Sequence, residues 1–397
     1  MRIHTLLLVV AIAVSACGGD KAPTGTVGGG TSGDGSGGGS TGAPSTFARD
    51  PSPGGNYLNV GTFPFNSIAS GCGGADCIPA LTDPTLVSAS DGGASYLRDS
   101  DLVMGVAING EALAIPHNIG WWHEIVNVRV GGQAICATLC PLTGTGMVFN
   151  GDLAAGRLTL GVSGLLFNSN LIMYDRRDLT TLYPQMTARG IQGPRVGEDL
   201  QLLPVTETTW RYWKRLYPDT KVVSGNTGRY PIGQYTNYPY SAQGDYRVEN
   251  SYIMFPLSSS TGTAALLGAK EMAMGVRTGE LVKAYPFRSA GNQSVINDRI
   301  GDTRLVAVFH LDASFAVPYS REVADGAGGL RTLTFDKVES TTSLYPFMMK
   351  DRETGTTWNL KGQATAGSLT GTRLTQLPSH NGFWFAWGTF WDKMGIY

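Results

Sequence analysis

Charge is scarce in this sequence, and neither sign dominates. Charged residues make up 15% of the 397-residue chain, and the formal net charge at pH 7 is −1. Electrostatic binding to nucleic acid or to an anionic membrane surface requires a clustered excess of lysine and arginine. The composition therefore excludes a binding mode of that kind, and we expect no nucleic-acid partner.

Several enzyme signatures are also missing. No Gly-rich phosphate loop, dinucleotide fingerprint or Gly-x-Ser-x-Gly elbow follows a plausible strand. His123-Glu124 matches the first half of the His-Glu-x-x-His motif, but Asn127 stands where the second histidine is required. These absences exclude the corresponding nucleotide-binding, serine-hydrolase and zinc-protease classes.

Long apolar runs are missing after the N-terminus, so no later segment is expected to span a membrane. At the N-terminus, an apolar run follows Arg2, and Val-Ser-Ala-Cys at residues 14–17 resembles a bacterial lipobox. We predict a signal peptide over residues 1–16, and a lipidated Cys17 that begins a Gly/Ser-rich linker over residues 17–47. The residue directly after the lipidated cysteine is Gly18, whereas an aspartate at that position is the usual signal for retention in the inner membrane. We therefore favour the outer membrane as the location. The lipid is then the membrane attachment of an envelope protein that faces the periplasm or the surface.

Cysteine is also rare, with five residues in the chain. Cys72 and Cys77 flank a Gly-rich turn, and in an oxidising periplasm they predict a local disulfide. Cys136 and Cys140 lie four residues apart on a predicted strand, about 13 Å from each other, which is too far for a disulfide. Cys136 is therefore interpreted as a buried apolar residue. Cys140 has no covalent partner and ends its strand before Pro141, where the following loop can open toward solvent.

The chain does contain a repeated pattern. Matching segments recur 170 to 176 residues apart, among them Met104-Gly105-Val106 and Met274-Gly275-Val276, Leu203-Pro204 and Leu377-Pro378, Trp210 and Trp384, and Trp213 and Trp387. Such a duplication predicts two pseudo-symmetric tandem repeats of one β-rich unit. The predicted organisation is a leading segment with Cys72 and Cys77 (residues 48–95), a first repeat (96–224), a connector (225–268) and a second repeat (269–397).

Short runs rich in valine, threonine and aromatic residues fill both repeats, separated by hairpin signals such as Asn109-Gly110 and Gly131-Gly132. Each repeat ends in one segment with tryptophans at helical spacing, which predicts a core-facing helix. The expected fold class is mainly β with a few helices (α+β). His117 and His380 are interpreted as ordinary surface or core residues.

The two repeats differ at one place. At the 170-residue offset Cys140 corresponds to His310, and the run Cys140-Pro141-Leu142-Thr143-Gly144 has no counterpart in the second repeat. A feature that only one copy carries is a candidate for function, whereas shared features are candidates for scaffold. The first repeat is therefore where we look for a site.

Several motifs lie around this place: Asn109-Gly110-Glu111-Ala112, Trp121-Trp122-His123-Glu124, Cys140-Pro141-Leu142-Thr143, Ser163-Gly164 and Asp175-Arg176. From about Ile78 to the C-terminus, the chain resembles the bacterial domain-of-unknown-function 3179 family. Some members of that family carry selenocysteine in place of a motif cysteine, so the resemblance implies redox-type chemistry. In this chain Thr143 stands where the family has its second motif cysteine, and a Cys-x-x-Cys couple cannot form.

Three hypotheses follow. In the first, Cys140 is a reactive thiolate of a redox or transfer enzyme, and His123 or His310 lowers its pKa. In the second, Cys140 and His123, completed by His310, bind a thiophilic metal such as copper or zinc. In the third, the protein is a non-catalytic surface lipoprotein that binds a small molecule or a protein partner, and Cys140 is inert.

Overall fold

The structure is a computed structural model, and it describes residues 50–54, 57–249, 251–258 and 263–397. The described residues belong to one compact unit. The predicted signal peptide, Cys17 and the linker to residue 47 therefore lie outside the described residues. None of the helices in the described ranges has the length and apolarity that a membrane-spanning helix needs.

The first part of the described chain forms short strands and two α-helices. Its elements are β1 (Ala69–Ser70), β2 (Leu81–Thr82), β3 (Leu86–Ser88), β4 (Leu102–Ile108), β5 (Glu111–Pro116), α1 (His117–His123), β6 (Ile125–Val130), β7 (Gln133–Cys140), β8 (Thr145–Asn150), β9 (Asp152–Leu153), β10 (Gly156–Arg157), β11 (Leu160–Phe167), β12 (Asn170–Asp175), β13 (Leu182–Pro184), β14 (Leu202–Leu203), β15 (Thr206–Thr209), α2 (Trp210–Leu216) and β16 (Lys221–Val223). A 3₁₀ helix at Ile232–Thr236 follows in the connector.

The second part of the chain has the same character. Its elements are β17 (Met272–Thr278), β18 (Leu281–Pro286), α3 (Phe287–Ala290), β19 (Gln293–Ile300), β20 (Thr303–His310), β21 (Phe315–Ser320), β22 (Glu322–Ala324), β23 (Leu330–Thr332), β24 (Phe335–Glu339), β25 (Phe347–Asp351), β26 (Thr357–Trp358), β27 (Ala364–Ala366), β28 (Ser379–Phe383), α4 (Trp384–Phe390) and β29 (Gly395–Ile396). The fold is therefore mainly β with a few helices, as predicted.

The predicted hairpins are present. β4 and β5 pair through Asn109 and Gly110, whose φ values of 48° and 85° fit a two-residue turn with left-handed central residues. β6 and β7 pair across Gly131 and Gly132, with Ile125 opposite Thr138. Local turn chemistry thus sets the strand register on which the candidate site depends.

Corresponding sheets in the two parts share strand order and direction. The order β15-β4-β5-β16 matches β28-β17-β18-β29, and in both sheets the last strand is parallel to its neighbour while the other pairs are antiparallel. The meander β6-β7-β8 matches β19-β20-β21. This agreement is what a tandem repeat requires, but the repeat itself stays a prediction.

The two parts contact each other reciprocally. β28 packs against β8, and β15 packs against β21. The backbone N–H of Phe383 donates to Thr143 O at 2.8 Å, while Thr208 Oγ1 donates to Ala313 O at 2.6 Å. The loop after Cys140 is therefore covered by the second part of the chain.

The tryptophan helices are buried in the core, as predicted. Trp213 and Trp387 are at most 1% exposed, and each ring lies on a glycine of the neighbouring strand, Gly105 and Gly275 respectively. A Cβ at either glycine would overlap the indole ring, so glycine is required at both positions. Each helix directly follows a strand: β15 ends at Thr209 before α2, and β28 ends at Phe383 before α4.

Candidate functional site

The segment Cys140–Gly144 forms the turn between β7 and β8, and Cys140 pairs with Thr145 at the end of that hairpin. The thiol is at a strand end, as predicted. The expectation that the following loop opens toward solvent is wrong. Leu142 is 3% exposed, and Cys140 and Thr143 have no exposed surface, because β28 and the connector pack over the turn.

Cys140 is surrounded by groups that keep it protonated. Its Sγ donates a weak hydrogen bond to Ser169 O at 3.6 Å. Burial, together with the nearby Glu124 carboxyl, raises the pKa of the thiol to about 11. Thr143 lowers this pKa, but less than burial raises it. At neutral pH the thiolate needed for nucleophilic chemistry is therefore disfavoured.

His123 is buried, and both of its ring nitrogens have partners other than Cys140. Nδ1 lies 2.6 Å from Pro79 O, and Nε2 lies 2.8 Å from the Tyr235 hydroxyl. Burial lowers the pKa of His123, so the neutral imidazole is favoured. The predicted register does bring this region of the chain opposite Cys140, since Leu139 N donates to Glu124 O at 2.7 Å. The titratable side chain that affects the pKa of the thiol, however, is Glu124.

His310, at the end of β20, lies elsewhere. Its ring packs edge-on against Tyr212 with centroids 5.1 Å apart, and burial lowers its pKa. Among the described residues there is no group of three or more His, Cys, Asp and Glu side chains that could hold a metal ion. The proposed ligand set of Cys140, His123 and His310 is therefore not assembled in this structure.

Thr143, at the position of the family's second motif cysteine, belongs to a buried polar network. Its hydroxyl lies 2.8 Å from the Thr145 hydroxyl and accepts from Asn170 Nδ2 at 2.9 Å. Thr145 donates to Gln185 Oε1 at 2.7 Å, and Gln185 Nε2 donates to Thr138 Oγ1 at 2.9 Å. These residues have no exposed surface. The hydroxyl therefore has a structural role in fixing the turn.

The largest feature near this turn is a cavity of about 220 Å³, here called the aromatic cavity. Its wall is formed by residues from both parts of the chain and by the turn itself, namely Leu102, His117, Trp121, Leu139, Pro141, Gly144, Glu207, Tyr238, Arg247, Lys270, Met272, Phe287, Ser314 and Phe383. Eight apolar side chains line the wall, four of them aromatic, and five polar side chains line it as well. Such a composition is typical of small-molecule sites.

His117 and Glu207 form a buried ion pair in the wall of the aromatic cavity. His117 Nε2 and Glu207 Oε2 are 3.3 Å apart, and the two residues are 8% and 6% exposed. The two atoms are at ion-pair distance from each other, but neither makes a hydrogen bond within the described residues. The other carboxylate oxygen, Oε1, accepts from Asn381 Nδ2 at 3.1 Å, which orients the carboxylate. Buried polar atoms without partners are costly unless a ligand or water completes them.

The interpretation of His117 as an ordinary residue missed its place in the cavity wall, and Glu207 was missed altogether. Comparison of the two predicted repeats contains a signal for both His117 and Glu207. The residue 170 positions after His117 is Phe287, and the residue 174 positions after Glu207 is Asn381. Only the first part of the chain places an imidazole and a carboxylate at these positions, by the same logic that singled out Cys140.

The two cations of the wall already have partners. Lys270 Nζ donates to Ser251 Oγ at 2.6 Å and Tyr252 O at 2.8 Å, and also to Tyr246 O. Burial lowers the pKa of Lys270 to about 8. Arg247 makes a bidentate pair with Asp245, and its guanidinium lies 4.3 Å from the centre of the Tyr238 ring. The charged groups of Lys270 and Arg247 are therefore engaged by other protein groups, and the two side chains contribute to the cavity mainly by forming its wall.

A smaller cavity of about 80 Å³ lies on the other side of the turn, between Glu124, Leu142, Tyr240 and the loop that carries Cys72. Cys72 and Cys77 form the predicted disulfide, with their Cα atoms 6.1 Å apart. Burial raises the pKa of Glu124 to about 8, and the residue has a positive φ of 54°. The turn from Cys140 to Gly144 thus contributes to the walls of two cavities, through Pro141 and Gly144 in the aromatic cavity and through Leu142 in the smaller one.

Comparison with known proteins gives one match. No curated protein and no solved structure matches the chain. A family described as "Protein of unknown function (DUF3179)" matches residues 75–394, which is most of the chain and includes every residue of both cavities except those of the loop before Ala75. The chain therefore belongs to the DUF3179 family.

Proposed function

We propose that this protein binds a small, largely apolar molecule in the aromatic cavity and holds it through a hydrogen bond to Glu207. The observation that carries the proposal is the buried ion pair of His117 Nε2 and Glu207 Oε2, whose two atoms make no hydrogen bond within the described residues, at the wall of a cavity of about 220 Å³. The aromatic rings supply apolar contact, and the carboxylate oxygen selects a ligand with an N–H or O–H donor. This is the binding hypothesis among the three that the sequence left open.

The thiol-chemistry and metal-binding hypotheses have less support. Thiol chemistry needs an accessible thiolate, whereas Cys140 is fully buried and burial raises its pKa to about 11. Metal binding needs converging ligands, and within the described residues no such group occurs. Thr143 further argues against a two-cysteine redox couple, because its hydroxyl completes a polar network.

A matched pair of probes tests the proposal. Indole and indene have nearly the same shape, but only indole carries an N–H donor. Isothermal titration calorimetry with the full-length protein should show binding of both, with indole tighter by about tenfold, because a hydrogen bond to a charged acceptor contributes roughly 1.5–3 kcal/mol. In Glu207→Leu the preference for indole should vanish while indene binding persists.

Two further variants locate the site. Met272→Trp should fill the aromatic cavity and abolish the binding of both probes. Leu165→Trp adds the same bulk at the smaller cavity, which Leu165 lines, and should leave both affinities unchanged. Indole binding that survives Met272→Trp, or that is unaffected by Glu207→Leu, would contradict the proposal.

We also propose that the two parts of the chain are tandem repeats that meet at this cavity. Three pairs of its wall residues are 170 positions apart, namely Leu102 and Met272, His117 and Phe287, and Gly144 and Ser314. A pseudo-twofold interface places equivalent positions around a common axis. On the sequence features of residues 1–47, we further propose that the protein is lipid-anchored in the outer membrane.

A further inference from the structure

Two other pockets on the molecule correspond to each other in position. The first, of about 310 Å³, is here called the Arg373 pocket, and the second, of about 260 Å³, the Arg277 pocket. Their wall residues match at offsets of 170 or 174 positions, with Ala107 matching Arg277, Pro204 matching Pro378, and Leu374 matching Leu200. Isolated β-bridges join Arg189 to Asp199 beside one pocket and Gln363 to Arg373 beside the other, again 174 positions apart.

The Arg277 pocket is electrically balanced. Arg189 makes a bidentate pair with Asp199, with both distances 2.8 Å. Arg277 Nη2 lies 3.9 Å from the same carboxylate, and Glu280 also lines the pocket. Two guanidinium groups thus face two carboxylates, so this pocket has no net charge to neutralise.

The Arg373 pocket has a different charge pattern. The position that corresponds to Asp199 is Arg373, and Lys361 lines the same pocket. Within the described residues, neither cation has a carboxylate at ion-pair distance, and no carboxylate lines the pocket. Burial lowers the pKa of Lys361, and the nearby positive charge of Arg373 lowers it further. The two cations therefore repel each other. Glu111 and Asp219 line an adjoining pocket that Lys361 also lines, but neither forms an ion pair with Lys361 or Arg373 within the described residues.

The geometry leaves hydrogen-bond donors free for a ligand. Lys361 Nζ donates to Leu216 O at 3.0 Å and lies 4.5 Å from the centre of the Tyr217 ring, which holds the ammonium in place. An ammonium group has three donors, so two remain. Arg373 is exposed, and its side chain hydrogen-bonds Tyr217 in the same pocket. A guanidinium has five N–H donors, so donors remain for the oxygens of an anion.

We propose that the Arg373 pocket binds an oxyanion, with Lys361 and Arg373 neutralising its charge. Phosphate and carboxylate groups share the required chemistry, namely a negative charge spread over two or more oxygens. The proposal is independent of the aromatic cavity, which has different residues in its wall.

Calorimetric titration of the full-length protein with inorganic phosphate, in chloride buffer at low ionic strength, tests the pocket. The wild-type protein should bind phosphate, and Lys361→Gln and Arg373→Gln should each weaken binding by about tenfold, the size expected for one charge-assisted hydrogen bond. Arg352→Gln removes a surface arginine that already pairs with Asp336, and it should have no effect. A parallel titration with acetate shows whether a carboxylate is sufficient.

A converse variant makes the test sharper. Asp199→Asn removes the balancing charge from the Arg277 pocket, so a second phosphate-binding event should appear there. Thermal unfolding of each variant, followed by circular dichroism, checks that the fold is retained. No binding of millimolar phosphate by the wild type, or binding that Arg373→Gln leaves unchanged, would overturn the proposal.

Discussion

At the scale of single residues, Cys140 shows how burial changes the chemistry of a side chain. A thiol at a strand end beside a histidine is a plausible nucleophile from sequence, but here the imidazole bonds to Pro79 O and the Tyr235 hydroxyl. His123 and Glu124 are adjacent in sequence, but their side chains have different surroundings. The Glu124 carboxyl, and not the imidazole, contributes to the raised pKa of the Cys140 thiol. The direction of each side chain could not be predicted, because it depends on the irregular backbone at Glu124.

We predict that Cys140 reacts slowly with iodoacetamide in the folded protein. Full burial and a pKa of about 11 leave little accessible thiolate at pH 7. Mass spectrometry of timed samples should show alkylation of Cys140 more slowly than of a free model thiol, and His123→Ala should not slow it further. Rapid alkylation of the native protein, lost in His123→Ala, would instead revive the thiol hypothesis.

A second prediction at this scale concerns Glu124. Burial raises its pKa in the folded protein from the ordinary value near 4.5 to about 8. The carboxyl is therefore favoured in its neutral form, and its contribution to stability, complete at acidic pH, is lost as the pH rises from about 4.5 to about 8. Thermal unfolding between pH 5 and pH 9 should show a smaller loss of stability for Glu124→Gln than for the wild type.

The control for this measurement is Glu339→Gln, which makes the same substitution at an exposed position of β24. The pH profile of Glu124→Gln should differ from that of the wild type more than the profile of this control does, because only Glu124 is buried. Identical pH profiles for Glu124→Gln and the wild type would show that the Glu124 carboxyl is not destabilised by burial.

At the scale of secondary-structure elements, α2 and α4 each place a tryptophan on a glycine of the neighbouring strand. Trp213→Ala and Trp387→Ala should each lower the free energy of unfolding by about 3–5 kcal/mol, as large aromatic truncations do in cores. Denaturant titration measures both values. Trp122→Ala, at a partly exposed position, should cost less. If neither core substitution changed the free energy of unfolding, the two tryptophans would not be equivalent core residues, and the repeat hypothesis would lose its structural support.

The elements also show which local patterns are reliable. Hairpin turns at Asn109-Gly110 and Gly131-Gly132 were predictable, because the φ values that such turns need select their residues. Helix α1 was not predicted, since its seven residues include glycine and two tryptophans and show no long helical periodicity. Its position matters, because it carries His117 into the wall of the aromatic cavity.

At the scale of the whole molecule, we expect residues 1–47 to determine where the protein resides. We predict that the mature protein begins at an acylated Cys17, since the preceding residues resemble a lipobox and a Gly/Ser-rich tether follows. Mass spectrometry of the membrane fraction should detect the acylated N-terminal peptide, and Cys17→Ser should release the protein from that fraction. An unmodified Cys17 in soluble periplasmic protein would contradict the prediction.

The sequence by itself determined the mainly β fold class, the disulfide between Cys72 and Cys77, the buried tryptophan pairs and the family. These features follow from turn chemistry, hydrophobic spacing and short motifs, which act over a few residues. The tertiary structure alone decided that His117 meets Glu207 and that Cys140 is covered by the second part of the chain. Those contacts join residues 90 or more positions apart, and they depend on how whole sheets pack, which no local pattern encodes.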